Sequence, residues 1–124
     1  MNAEAGDAPL EFSKFRDPSL HDFEIRQVSC SFERVSLQLE LEERKKLRMD
    51  LFGVHAIAFC VEHPKNVIFD CFYTEIDQSN LNAVKSRFRY IFSGEEIIGK
   101  LFVAMDFSTP SEFGCICDRL EVRE

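Results

Sequence analysis

From residue 24 onward the chain alternates. Ile25 is followed, after a one-residue slip, by Val28, Cys30 and Phe32, and beyond Glu33-Arg34 by Val35, Leu37, Leu39 and Leu41. A period of two sends successive side chains to opposite faces, so the pattern predicts an antiparallel hairpin whose second strand keeps Ser36, Gln38 and Glu40 wet. A turn at Glu42-Glu43 leads to a third strand of the same kind, in which Leu47, Met49 and Leu51 alternate with Lys46, Arg48 and Asp50.

The alternation then stops. VHAIAFCV (54–61) and NVIFDCFY (66–73) carry apolar residues in both phases, the pattern of strands covered on both faces. Between them Glu62-His63-Pro64-Lys65 reads as a turn, because Pro64 cannot donate to a ladder and restricts His63. After Asp77-Gln-Ser-Asn80 the period becomes helical: Leu81, Val84, Phe88 and Ile91 predict one helix over 79–92, started by Ser79 or Asp77, ended at Ser93-Gly94 and packed on the two-sided strands. Ile97–Phe107 and CICDRLEV (115–122) add two more strands around the STPSEFG loop. The expected fold class is therefore mainly β (α+β), with about seven mostly antiparallel strands forming a curved sheet or a sandwich, because the short connections preclude parallel crossovers. Residues 1–9 read as a disordered tail and 10–124 as a single β-rich domain.

Composition sharpens this picture in three places. Thirteen Phe beside two Tyr and no Trp predict a Phe-rich core, since Phe brings ring area with no polar handle. A net charge of −7 disfavours nucleic acid and anionic membranes and favours a basic protein partner. The N-terminus has no basic and apolar leader pattern, and no apolar run approaches the roughly 20 residues of a membrane span, so a cytoplasmic location is expected. Cysteines at 30, 60, 71, 115 and 117 include no CxxC pair and are expected as reduced, buried thiols.

Three stretches invite a chemical reading. His21-Asp22 could belong to an active site or a metal site, but no convergent partner motif accompanies it, and there is no HExxH, GxSxG or Gly-rich phosphate loop. The structural alternative makes Asp22 an Asx-turn acceptor, Leu20 a plug at the end of the sheet and the imidazole an anchor for the first strand. Cys115-Ile-Cys117 places two sulfurs on one strand face without completing four ligands, so no metal or other cofactor is expected. Lys85-Ser-Arg87-Phe-Arg89-Tyr90 resembles a nucleic-acid stripe, yet on a helix it divides into a buried Phe88 and a solvated cationic face. Short acidic groups fall at turns: Glu40 with Glu42 and Glu43, and Glu95 and Glu96 with Glu112. Glu42, Glu43, Glu95, Glu96 and Glu112, with Phe113 as an exposed aromatic anchor, are the expected contacts for a basic partner.

Taken together, the entry Ser19-Leu20-His21-Asp22, the Ile three residues later, the hairpin VSLQLEL, Phe52-Gly53 closing a strand, Val67–Asp70 (VIFD) and the final CDRLEV resemble the immunity protein 50 family of bacterial polymorphic toxin systems over about residues 19–122. The resemblance implies a mostly β, non-enzymatic cytoplasmic protein that binds and neutralises a cognate toxin. It makes Ser19, Leu20, His21 and Asp22 a structural signature and assigns His21 no catalytic role. Two other readings of the residues stay open. One is a β domain binding a hydrophobic small molecule among its Phe side chains. The other is an enzyme using His21, Asp22 and a distant Cys or Glu.

Overall fold

The slip between Ile25 and Val28 is a β-bulge, which shifts the pairing register between Ile25 and Gln27 and restores the apolar phase beyond it. It lies in strand β1 (Glu24–Ser31) of a computed structural model that describes residues 18–42, 44–60, 65–88 and 95–124. The expected 1–9 tail, the turn residues 62–64 and helical positions 89–92 lie outside the described residues.

β1 turns at Phe32-Glu33 into β2 (Arg34–Leu41), and β3 (Lys45–Phe52) follows. Phe32 sits at the hairpin tip and is 91% exposed, so it does not continue the apolar phase of β1 as its spacing suggested. Glu33 and Glu42 occupy the two hairpin turns with left-handed backbones, φ 61° and 51°. Further along come β4 (Ala56–Cys60), β5 (Ile68–Glu75), β6 (Leu101–Phe107), β7 (Glu112–Cys117) and β8 (Arg119–Arg123). All pair antiparallel in two four-stranded sheets, ordered β1-β2-β3-β8 and β4-β7-β6-β5.

The described residues form eight strands rather than the expected seven, because the closing segment is two strands. β7 belongs to the second sheet and β8 to the first, and the chain changes sheet at Asp118. Beside this corner β3 passes into β4 through Gly53, so two neighbouring strands bend together, the device by which sandwich sheets share strands. Asp118 N–H donates to the Phe52 carbonyl and His55 N–H to that of Ile116. Gly53 is required here: its φ is +65°, and a Cβ at that position would stand 2.1 Å from an Asp118 carboxylate oxygen. At the opposite edge Glu24 bridges to Val67, while Ile25 and Ile68 N–H groups donate to the Asn66 and Phe23 carbonyls.

Two apolar clusters result. The first lies between the sheets, where Val35, Leu37, Leu39, Met49 and Leu51 meet Cys71, Val103, Met105, Phe113 and Cys115. The second lies on the other side of the second sheet, where Phe72, Phe102, Ala104 and Ile116 meet Ile76, Val84, Phe88 and Ile97. The second sheet is thus covered on both faces, as the 54–61 and 66–73 patterns implied, though its most enclosed strands are the central β6 and β7. The described helix, α1 (Leu81–Lys85), is shorter than expected within these residues, and Ile97 belongs to a 3-10 turn (Glu95–Ile97) before β6 starts at Leu101. An Asx turn precedes α1: Asp77 accepts the N–H groups of Ser79 and Asn80, while buried Asn80 answers with bonds to the Asp77 N–H and the Glu75 carbonyl.

Candidate functional site

The first sheet has an inner face in the core and an outer face with no element of the described chain packed over it. Its register arranges that outer face in rows across four strands. One row reads Ser31, Arg34, Phe52, Arg119; the next Ser29, Ser36, Asp50, Glu121; the third Gln27, Gln38, Arg48, Arg123. Rows two residues apart stand roughly 7 Å from one another along the strands. The polar half of each alternating strand has become a flat polar surface.

Asp50 is the centre of this surface and is fully buried. Its Oδ1 accepts from Ser36 Oγ at 2.6 Å, Arg48 Nε at 3.0 Å and Arg34 Nη2 at 3.4 Å, and its Oδ2 from Arg123 Nη2 at 3.3 Å. Burial pushes the carboxyl pKa up, but the donors of Ser36, Arg48 and Arg34 outweigh burial and hold it below the usual aspartate value. Asp50 therefore stays charged under a lid made of the arginine side chains themselves. Above it Phe52 is flanked by guanidiniums, Arg119 at 4.0 Å and Arg34 at 5.3 Å from the ring centroid, within cation–π range. Arg119 also pairs with Glu121.

The residues expected to meet a basic partner do not converge. Glu42 pairs with Arg44 and, with Asp22, Glu24 and Glu40, edges an open depression that also holds Arg26 and Lys65. Glu43 lies outside the described residues. Glu95 and Glu96 sit in the 3-10 turn before β6, where Glu96 meets His55 Nε2 at 3.1 Å. Glu112 opens β7 at the far end of that strand from His55. Phe113, expected as an exposed anchor, is instead 1% exposed, packs edge-on against Phe59 between the sheets, and offers no anchor to a partner. Its segment was expected to be loop, but β7 begins at Glu112 and turns the ring inward.

The SLHD segment is a joint between the sheets. Leu20 is buried in the inter-sheet core, and Ser19 is exposed at the surface. His21 Nδ1 lies 2.8 Å from the Phe69 carbonyl; a carbonyl only accepts, so Nδ1 carries the proton and donates. The imidazole also stands edge-on to the Phe69 ring at 5.6 Å and 3.4 Å from Asp22 Oδ1. Asp22 contributes backbone rather than an Asx-turn carboxylate: its φ is 76°, and its N–H donates to the Ile68 carbonyl.

The five cysteines are free, but only Cys71, Cys115 and Cys117 are buried; Cys30 and Cys60 are exposed near strand ends, against expectation. The Cys115 thiol is pushed upward by its hydrogen bond with Cys117 and by burial, which keeps it protonated and unreactive. In the basic stretch Arg87 pairs with Asp106 at 3.2 Å and Phe88 is buried, while Arg89 and Tyr90 lie outside the described residues. Among the described residues no three His, Cys, Asp or Glu side chains gather as a metal site, and no helix is long and apolar enough to cross a membrane.

The Asp50 cluster is not evident in the sequence, where Arg48 and Asp50 have only the spacing of the wet phase of a strand. The signal available was a carboxylate in the middle of a strand with cationic residues at its i−2 and cross-strand positions; β8, which brings Arg119 and Arg123, was hidden inside one long closing segment. Compared with known protein families and with curated proteins, the chain matches none.

Proposed function

We propose that the protein acts by binding rather than catalysis, as an immunity-type protein that holds and neutralises a cognate toxin, with the outer face of the first sheet as its contact surface. One observation carries this reading: a four-stranded sheet presents an uncovered face on which Arg34, Arg48, Arg119 and Arg123 are already held by neighbours. Arginine and aromatic side chains are enriched at protein contacts, and side chains ordered before association lose less freedom on binding. The net charge of −7 supports attraction of a basic toxin over distances near the screening length, independently of which residues make the final contact. Co-expression with the product of the adjacent gene tests the reading. Growth protection and a one-to-one complex are expected; unprotected growth with no complex overturns it.

A second reading rests on a cavity of about 730 Å³ between β4, β7 and the end of α1, within the usual range for small ligands. Ile57, Phe59, Phe88 and Phe113 supply its apolar wall, and Arg87 and Glu112 its polar rim. A thermal-shift screen with small hydrophobic acids tests it, and a shift removed by Phe59→Ala would favour it over the toxin-binding reading.

A further inference from the structure

The contact surface has a local charge opposite to that of the whole chain. Among the described residues, Asp50 is the one carboxylate within ion-pair distance of Arg34, Arg48 and Arg123, so three guanidiniums surround one negative charge. Among the described residues Asp50 leaves two of these positive charges without an ion-pair partner, and Glu124 lines the same depression as Arg48 beyond ion-pair distance. Arg119 adds a fourth guanidinium, matched by Glu121.

The geometry of the donors matters as much as the charge. Each of the three arginines uses one nitrogen on Asp50: Nη2 of Arg34, Nε of Arg48 and Nη2 of Arg123. A guanidinium has five N–H donors in a planar fork, so most donors of all three remain available. The side chains are 38%, 44% and 57% exposed, which leaves those donors open to an approaching group. Asp50 thus acts as a buried template: it fixes the directions of the forks while remaining itself out of reach of a partner. Phe52 supports the row above by stacking with Arg34 and Arg119. The group that fits ordered forks with excess positive charge is a carboxylate, received in bidentate pairs.

We infer that this face recognises the side-chain carboxylates of an acidic segment on a protein partner, with Arg34, Arg48 and Arg123 as the receiving residues. The inference rests on the binding role proposed above and adds the chemistry of the contact. A phosphate backbone fits less well, because Glu24, Glu40 and Glu121 share the same sheet face and the whole chain is acidic, whereas a folded partner presents carboxylates at discrete points. The recognition is short-ranged, so it is compatible with a partner whose total charge is positive.

The test titrates the full-length chain with a capped peptide of alternating aspartate and glutamate, with its amide counterpart, and with a single-stranded DNA oligonucleotide, following the arginine Nε–H resonances by NMR. The acidic peptide should shift the signals of Arg34, Arg48 and Arg123, and the amide peptide should leave them in place. Arg48→Glu with Arg123→Glu should weaken the peptide by about tenfold or more, while Arg44→Glu, away from the cluster, should not. Should the double reversal fail to fold, Arg48→Lys with Arg123→Lys keeps the charge, removes the forks, and should weaken binding about fivefold. Binding unchanged by either pair, tighter binding of the oligonucleotide at these arginines, or a dimer of the chain abolished by the same reversals would each overturn the inference. Toxin protection is scored alongside: variants that lose the peptide yet still protect refute this contact and leave the binding role standing, while absence of protection by the unaltered chain refutes the role itself.

Discussion

Both sheets have four strands, and they differ in what covers them. The second is packed on both sides, against the first sheet and under the α1 segment, and its central strands β6 and β7 are buried almost throughout. The first is packed on one side only, and its other face is polar. Yet that uncovered face holds a fully buried charge, because the arginine stems lie over Asp50 and replace the missing layer. An exposed sheet face can therefore contain a locally enclosed site without a second layer of backbone.

The largest test of this asymmetry is a deletion in the doubly covered sheet. Phe102 is fully buried and meets Phe88 edge-on across the second cluster, with centroids 6.1 Å apart. Phe102→Ala should cost about 4 kcal/mol through lost burial and the cavity left behind. Gln38→Ala, in the middle of the polar face, should stay within about 0.5 kcal/mol. Urea unfolding of the two variants measures the contrast, and comparable losses would mean that the first sheet's outer face is not the solvated surface described.

The corner joining the sheets comes next. Gly53→Ala should cost about 2 kcal/mol, from the left-handed backbone and the contact with the Asp118 side chain. Repeating the substitution in an Asp118→Ala background removes the carboxylate contacts at 2.1 and 2.6 Å and leaves the backbone part with the Asp118 Cβ at 2.9 Å, so the two costs should not add. Strict additivity would show that Asp118 does not press on the corner.

How far the sequence revealed all this follows from the range of each interaction. The β1–β3 meander, including its bulge, was legible because alternation is local and its register follows from short turns. That the sheet holding β4 and β5 is covered on both faces was legible from apolar residues in both phases, although within those stretches Cys60 and Phe69 are exposed. The sheet change at Asp118 was not, since CICDRLEV is a continuous strand-like run in which a single bend at Asp118 separates two sets of partners: Ile116 pairs with Ala56 and Phe102, Leu120 with Leu51. The Asp50 cluster depends on that same corner, because Arg123 reaches Asp50 from 73 positions away. Phe113 is a core residue rather than the expected anchor because strand pairing with Phe59 and Met105 overrides a composition, Ser-Glu-Phe in a Pro-containing stretch, that reads as loop.

Asp50 tests whether the arginine lid has energetic weight. Asp50→Asn keeps the shape, weakens every charged hydrogen bond and leaves three guanidiniums facing one another, with an expected cost of about 1.5 kcal/mol, moderated because the arginines are partly in water. The pH dependence has a definite sign. A carboxyl whose folded pKa is lowered contributes stability that is fully present above its unfolded value of about 3.8 and is lost as pH falls toward the folded value. The difference between the two proteins should therefore be constant at neutral pH and shrink below about pH 4. A gap that persists unchanged in acid would mean that the charge on Asp50 is not what holds the cluster.

The smallest expected effect is at the edge where β1 meets β5. His21 is half exposed, so its bond to the Phe69 carbonyl competes with water and should be worth about 1 kcal/mol at most. His21→Ala removes both that bond and the ring contact, whereas His21→Phe keeps an aromatic edge near Phe69 and removes only the donor. If the residue is a joint, both variants should lose a little stability, with Ala losing more, and toxin protection should survive in both. If protection, or any turnover found in the unaltered protein, disappears in both variants while unfolding midpoints stay unchanged, His21 serves chemistry rather than the joint between the sheets. The comparison between Ala and Phe decides the matter because a structural role grades with the contact retained, while a proton-transfer role is lost equally in both.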